Sequence, residues 1–326
     1  MRIQVRPPLT GITSPRLSST RDIPLFISFR ESMPHVQRID LLDPAEVARF
    51  GGIEIVARGV VEGFLSGIHR SRLRGFSVEF TEHRAYQPGD ELRYLDWKIL
   101  ARADRLFVKQ FEQETNLRAM ILVDASRSMA WSGAPSRLTK RAYADRLAAA
   151  LALILLRQRD ATGLITFDEV VREVVPARVK SGQWARLVRG LVDTPDGQGT
   201  AAQAALVRLT SLLARRGLVV LVSDLLFDRE LALTALRYLR HRGHQVIVLH
   251  LMDPGEAELS GPPEVRYRDP ESAASVVVRP RELARAYQAT VRREIDAWRM
   301  ACRRHGIAYY HILTDMPFGM ALRLLA

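Results

Sequence analysis

Polar side chains stand at every second position directly after an apolar run. The run RAMILV, residues 118–123, is followed by Asp124, Ser126 and Ser128. Folding alone does not require one carboxylate and two hydroxyls in that rhythm. Their oxygen atoms are the kind of ligand that Mg²⁺ and Mn²⁺ bind in proteins.

Two further segments carry oxygen ligands at the ends of predicted elements. Asp224 follows the apolar run 218–222 and Ser223, and Thr200 stands in a glycine-rich stretch directly before a helical pattern. Ligands of open α/β sheets bind at the carboxyl ends of the strands. We therefore expect Asp124, its two serines, Thr200 and Asp224 to form one Mg²⁺ or Mn²⁺ site. Such a site has few charges and would keep an open coordination position for a partner's Asp or Glu, or for an anionic ligand.

Capping of helices and turns is the competing interpretation of the same residues. Asp124 or Ser126 could cap a turn, Asp224 could cap the helix that follows it, and Thr200 is itself a good N-cap. Capping accounts for each residue singly but not for all five in register. The pattern therefore favours the metal site.

An alternation of apolar strands and amphipathic helices after Leu117 must position these residues. Strands are predicted at 118–123, 164–167, 170–175, 218–223, 245–251 and 308–313, and helices at 137–159, 181–192, 201–215, 228–242 and 281–305. Strands flanked by helices predict an α/β fold, a doubly wound and mostly parallel sheet covered on both faces. The segment 170–175 follows its neighbour too closely for a crossover helix, so it predicts an antiparallel edge strand.

Three regions are predicted along the chain. Residues 1–33, rich in Pro, Ser and Thr, are typical of a flexible leader, and Met33 is an alternative start. Residues 34–115 predict a smaller helix-plus-β region, and residues 116–326 the α/β domain. Within the middle region, Asp43 is the expected N-cap of a helix whose first residue is Pro44.

Composition bounds the class of protein. Hydrophobic residues make up 47% of the 326 residues and charged residues 26%, which is typical of a globular protein. The single cysteine, Cys302, excludes an internal disulfide framework. No apolar run approaches the roughly 20 residues of a membrane-spanning helix, and no secretory signal opens the chain, so we expect a cytoplasmic protein. The net charge of +12 is spread along the whole chain, which disfavours nucleic acid as a partner.

Familiar enzyme motifs are missing from the sequence. A haloacid-dehalogenase-like phosphotransferase needs a second Asp where this chain has Ser126, and a phosphate-binding loop needs Gly-Lys-Ser/Thr, whereas Lys180-Ser181 is preceded by Val179. We therefore predict no catalytic residue and no enzymatic activity. A metal-dependent hydrolase of anionic substrates is the alternative, although no general base suggests itself. A scaffold that has lost its metal is a third possibility.

The D-A-S-R-S run, together with Thr200 and Asp224, resembles the metal-ion-dependent adhesion site of von Willebrand factor A domains. That resemblance implies that Ser126, Ser128 and Thr200 bind the metal directly. It also implies that Asp124 and Asp224 act largely through water.

The segment 66–115 resembles the signature of domain-of-unknown-function family fifty-eight. The motif is Arg84-x-Tyr86-x-Pro88-Gly89-Asp90, then Arg93, Asp96-Trp97 and Ala101-Arg102. The resemblance extends from about residue 40 to the C-terminus. It implies a MoxR-type AAA+ ATPase as a partner and a role as an adaptor or assembly factor. The role of the Arg84-to-Trp97 motif itself stays open between a salt-bridged β surface, which is favoured, and a ligand site.

Overall fold

The structure is a computed structural model that describes residues 41–49, 51–68, 83–85, 107–109, 117–197, 202–258, 264–268 and 275–325. All of these belong to one compact unit, Arg38–Ala326. The predicted leader, the family motif from Tyr86 to Arg102, and Thr200 lie outside the described residues.

A six-stranded sheet forms the centre of the protein, with strand order β10-β7-β6-β3-β4-β5. The described strands are β1 (His83–Ala85), β2 (Phe107–Lys109), β3 (Arg118–Asp124), β4 (Ala161–Phe167), β5 (Val171–Arg178), β6 (Leu218–Ser223), β7 (Gln245–Met252), β8 (Val265–Arg268), β9 (Ser275–Val278) and β10 (Ala308–Leu313). All neighbours in the central sheet are parallel except β5, which pairs antiparallel with β4 at one edge. The predicted fold class, including its antiparallel edge strand, is confirmed.

Helices cover both faces of this sheet. They are α1 (Pro44–Ala48), α2 (Ile53–Ile68), α3 (Lys140–Arg157), α4 (Gln183–Asp193), α5 (Ala202–Leu212), α6 (Arg229–His241), α7 (Pro254–Ala257), α8 (Pro280–Arg304) and α9 (Phe318–Arg323). Successive strand residues point to opposite faces, so Ile121 packs with α2, α3 and α4 while Leu122 packs with α5, α6 and α8. None of the described helices is long and apolar enough to cross a membrane.

The single helix predicted to begin at Pro44 is two helices in the structure. Asp43 caps α1 as expected, because its carboxylate accepts the backbone N–H of Ala45 at 2.7 Å. The helical pattern then breaks at Gly51 and Gly52, since glycine has poor helix propensity. Helix α2 shares one hydrophobic core with α3. The region boundaries at residues 33 and 115 stay predictions. The β8–β9 hairpin and the short helices α7 and α9 were not expected from the sequence.

The chain order of the strands places a crevice at the centre of the sheet. From β3 the chain moves to β4 on one side and later returns to β6 on the other. Ligands of open α/β sheets bind at such a reversal, outside the carboxyl ends of the strands. Asp124 ends β3 at this point, and Ser223 ends β6.

Candidate metal-binding site

Asp124 is buried at the end of β3, and its carboxylate organises the crevice. Its Oδ1 accepts the backbone N–H of Ser126 at 2.8 Å, which turns the chain after the strand. Its Oδ2 accepts the hydroxyl of Ser223 at 2.6 Å. The carboxylate therefore joins the ends of β3 and β6 directly.

Ser126 and Ser128 bring their hydroxyls together beside Asp124. The two Oγ atoms lie 3.1 Å apart, and both residues are buried. A short 3₁₀ helix, Arg127–Ala130, sets this spacing. Ser126 occupies the N-cap position of that helix, but its side chain makes no capping hydrogen bond. The hydroxyl pair is thus not explained by capping.

Asp224 follows β6, and both of its carboxylate oxygens have partners. Oδ2 accepts a hydrogen bond from Lys140 Nζ at 2.8 Å, and Oδ1 accepts the backbone N–H of Leu226 at 3.2 Å. Leu225 between them has a φ of 54°, a left-handed conformation that is strained for a bulky residue. Helix α6 is capped by Asp228 instead, so Asp224 does not have the capping role that competed with the metal site.

Lys140 is the residue of this site that the sequence analysis missed. It is the first residue of α3, it is fully buried, and its ammonium also contacts Glu256. Burial by itself lowers the pKa of Lys140, but the attraction of Asp224 and Glu256 outweighs it and raises the pKa. A lysine in the first turn of a helix opposes the helix dipole. That misfit was the available signal that Lys140 has carboxylate partners.

Carboxylates also end β4 and β7, and each has its own cation. Asp168 pairs with Arg172 at 2.6 Å, and Asp253 pairs with Arg137 at 2.8 Å. Both aspartates are fully buried and directly follow a strand. The rule that pointed to Asp124 and Asp224 would have found them too.

Asp124 differs from these neighbours because no cation pairs with it among the described residues. Burial, followed by the nearby charge of Asp224, raises the pKa of Asp124 to about 6. A buried carboxylate without a countercharge is costly. Among the described residues, Asp124 is therefore a buried carboxylate of the crevice that no cation compensates.

The loop that precedes Thr200 in the sequence runs against this crevice as far as it is described. Gly197 donates its backbone N–H to the Ala125 carbonyl at 2.6 Å. A Cβ at this position would lie 2.3 Å from the same oxygen, so only glycine fits. Thr200 itself lies outside the described residues, and its place in the site stays a prediction.

The donors around Asp124 fit a hard divalent cation. They are one uncompensated carboxylate and two hydroxyls, all oxygen, as Mg²⁺ and Mn²⁺ prefer. Within the described ranges, no group of three or more His, Cys, Asp or Glu side chains could hold a metal. A cation here would depend on the serine hydroxyls and on water.

Sequence comparisons place this chain beside known proteins. The family described as "Protein of unknown function DUF58" matches residues 82–297. Uncharacterized proteins of Mycobacterium bovis and Mycobacterium tuberculosis are each 28% identical over 246 residues, which is 73% of this chain and 75% of theirs.

Solved structures with a similar chain trace include an aerotolerance-related membrane protein from Bacteroides fragilis. It is 19% identical, with a TM-score of 0.45, over 64% of this chain and 95% of that one. The von Willebrand factor A domain of SpRpn10 is 12% identical, with a TM-score of 0.37, over 63% and 94% of the two chains.

Proposed function

The chain belongs to the DUF58 family, and from the geometry of its site we propose that it is a metal-dependent protein-binding module. The observation that carries the proposal is Asp124: a buried carboxylate without a cation partner among the described residues, beside the paired hydroxyls of Ser126 and Ser128. A divalent cation would supply the missing countercharge. The von Willebrand factor A-like fold is one that often mediates protein interactions.

Each residue of the site has a separate task in this proposal. Ser126 and Ser128, with Thr200, would hold Mg²⁺ or Mn²⁺, while Asp124 and Asp224 would act largely through water. When bound, the cation supplies an open coordination position for an Asp or Glu of a partner protein. Lys140 pairs with Asp224 and fixes its orientation, whereas the charge at Asp124 is left for the cation.

Binding is favoured over hydrolysis by the state of the imidazole next to Asp224. His250 is buried, and its Nδ1 lies 2.6 Å from the Tyr309 hydroxyl. Burial, then the neighbouring His311, lowers the pKa of His250 to about 3. A base so weak and so enclosed is poorly suited to activating water at neutral pH.

We also propose a biological role for the open coordination position. An open coordination position selects a partner by one exposed carboxylate, which suits an adaptor or assembly factor. We propose a MoxR-type AAA+ ATPase as that partner, on the resemblance of the family motif, and a cytoplasmic location.

Calorimetric titration of Mg²⁺ and Mn²⁺ tests the metal site. We expect the natural protein to bind, and Asp124→Asn and Ser126→Ala to lose binding. Ser132→Ala is the matched control, because the Ser132 hydroxyl donates to the nearby Ala134 carbonyl at 3.2 Å. The titrations are repeated with acetate, which supplies the carboxylate that a partner would provide. The proposal would be overturned if the natural protein gave no heat of metal binding with or without acetate. It would also be overturned if Ser126→Ala gave the same heat of binding as the natural protein.

A further inference from the structure

A groove adjoins the candidate metal site on the far side of Asp224. It has a volume of about 740 Å³ and lies between the ends of β6 and β7, the start of α6, and α8. That volume is within the range of clefts that enclose a drug-sized ligand, which is the size of a few side chains. The groove therefore suits a short segment rather than a whole domain.

One wall of the groove is apolar. Phe227 and Trp298 meet edge to face, with ring centroids 6.3 Å apart. Val291 and Ile295 line α8 on the same side. Leu226 is 58% exposed at the mouth, held out by the left-handed turn at Leu225. Exposed Leu226 and partly buried Phe227 beside the buried Trp298 form an apolar patch with an aromatic anchor, as protein-binding surfaces do.

The rim of the groove is acidic. Glu230 and Glu294 stand at the mouth with 82% and 64% of their side chains exposed. Asp228 is exposed as well, whereas Asp224 and Glu256 lie deeper. Among the residues that line it, Arg229 is the only Arg or Lys. It pairs with Glu294 at 2.9 Å and with Glu230 at 4.0 Å, so one cation is shared by two carboxylates. This acidic lining contrasts with a chain of net charge +12.

We propose that this groove binds a segment of a partner protein that carries Lys or Arg next to apolar side chains. The apolar side chains would pack on Phe227 and Trp298, while the cations would meet Glu230 and Glu294. Charge complementarity of this kind raises specificity and association rate, and the apolar contact supplies affinity. The inference goes beyond the proposed metal function and does not depend on a cation.

Selection from a library of random dodecapeptides, carried out in EDTA, tests the groove. We expect the enriched peptides to combine Lys or Arg with Leu, Phe or Trp. Fluorescence anisotropy with a labelled peptide should then show a loss of affinity of about tenfold or more in the double variant Glu230→Lys/Glu294→Lys. Leu226→Ser should weaken the same peptide through the apolar wall.

A second pair of charge reversals distinguishes binding in the groove from attraction by the overall charge of the protein. Glu54→Lys/Glu173→Lys changes the net charge equally at two exposed positions, on α2 and on the opposite edge strand β5. It should bind the peptide as the natural protein does. No enrichment, acidic peptides, or equal loss in both double variants would overturn the groove. A peptide whose affinity in EDTA falls as far in Ser126→Ala as in Glu230→Lys/Glu294→Lys would likewise overturn the groove.

Discussion

Lys140 Nζ donates a hydrogen bond to Asp224 Oδ2 at 2.8 Å, with only 1% and 3% of the two side chains exposed. This contact ties the start of α3 to the end of β6, and the same ammonium reaches Glu256 on α7. Three elements at the carboxyl edge of the sheet thus depend on one buried cation. The proposed metal site and the proposed groove lie on either side of it.

Replacing Lys140 with methionine should destabilise the protein by about 3–5 kcal/mol, because Asp224 is left buried without a countercharge. Urea denaturation of Lys140→Met measures this directly. Lys180→Met, at an exposed position before α4, is the control and should change stability little. Adding Asp224→Asn and Glu256→Gln to Lys140→Met should recover part of the loss. A single variant as stable as the natural protein would show that the ion pair contributes nothing.

Asp124→Asn should stabilise the metal-free protein and abolish its response to Mg²⁺. The amide keeps an acceptor for the Ser126 N–H but carries no buried charge. A rise in the pKa from 3.8 to about 6 corresponds to about 3 kcal/mol of cost at neutral pH, as an upper bound on the gain. Thermal melts at pH 7, in EDTA and in Mg²⁺, measure both effects. The exposed Asp193→Asn is the matched control. A variant that is less stable in EDTA and still stabilised by Mg²⁺ would refute this account of Asp124.

Acid should weaken the fold through His250. The pKa of His250 is lowered from 6.5 to about 3 in the folded state, so between those values the unfolded chain binds the additional proton. Stability therefore falls as pH decreases below 6.5, and the loss is about 2 kcal/mol between pH 7 and pH 5. The groups whose charges influence the ring are His311, Asp224 and Lys140.

His250→Gln isolates this effect, because an amide does not titrate. Guanidinium denaturation at pH 7 and pH 5 should show a smaller acid loss in the variant than in the natural protein, by about 2 kcal/mol. The exposed His241→Gln serves as the control and should retain the full loss. Identical pH dependence in all three proteins would contradict the neutral, buried state of His250.

Gly197→Ala should displace the loop that leads towards Thr200. The added Cβ would meet the Ala125 carbonyl at 2.3 Å, a backbone atom that cannot move aside, at a cost of about 1–3 kcal/mol. The variant should also lose affinity for Mg²⁺ in the calorimetric titration. Gly52→Ala is the control, since nothing lies within 4 Å of a Cβ there. Equal melting temperatures for both alanine variants would rule out the close approach.

The strands, and which of them run parallel or antiparallel, were predictable from short stretches of sequence. Continuous apolar runs such as 218–223 are typical of strands in a sheet that is covered on both faces. The connection from β4 to β5 is too short for a crossover helix, so β5 pairs antiparallel at the edge. Asp124, Ser126 and Ser128 could be chosen because the carboxyl end of a parallel strand is where ligands bind. The family motif likewise pointed to the DUF58 family.

The partners of these residues could not be predicted, because they come from distant parts of the chain. Lys140 lies 84 residues from Asp224 and 116 from Glu256 in sequence, and it appears as an ordinary helical lysine until α3 and β6 pack together. The same holds for the groove, whose wall joins Phe227 to Trp298. Local pattern determines elements, since periodicity and capping act within a few residues. Only tertiary packing decides which charges are buried together, and so leaves Asp124 without a cation among the described residues.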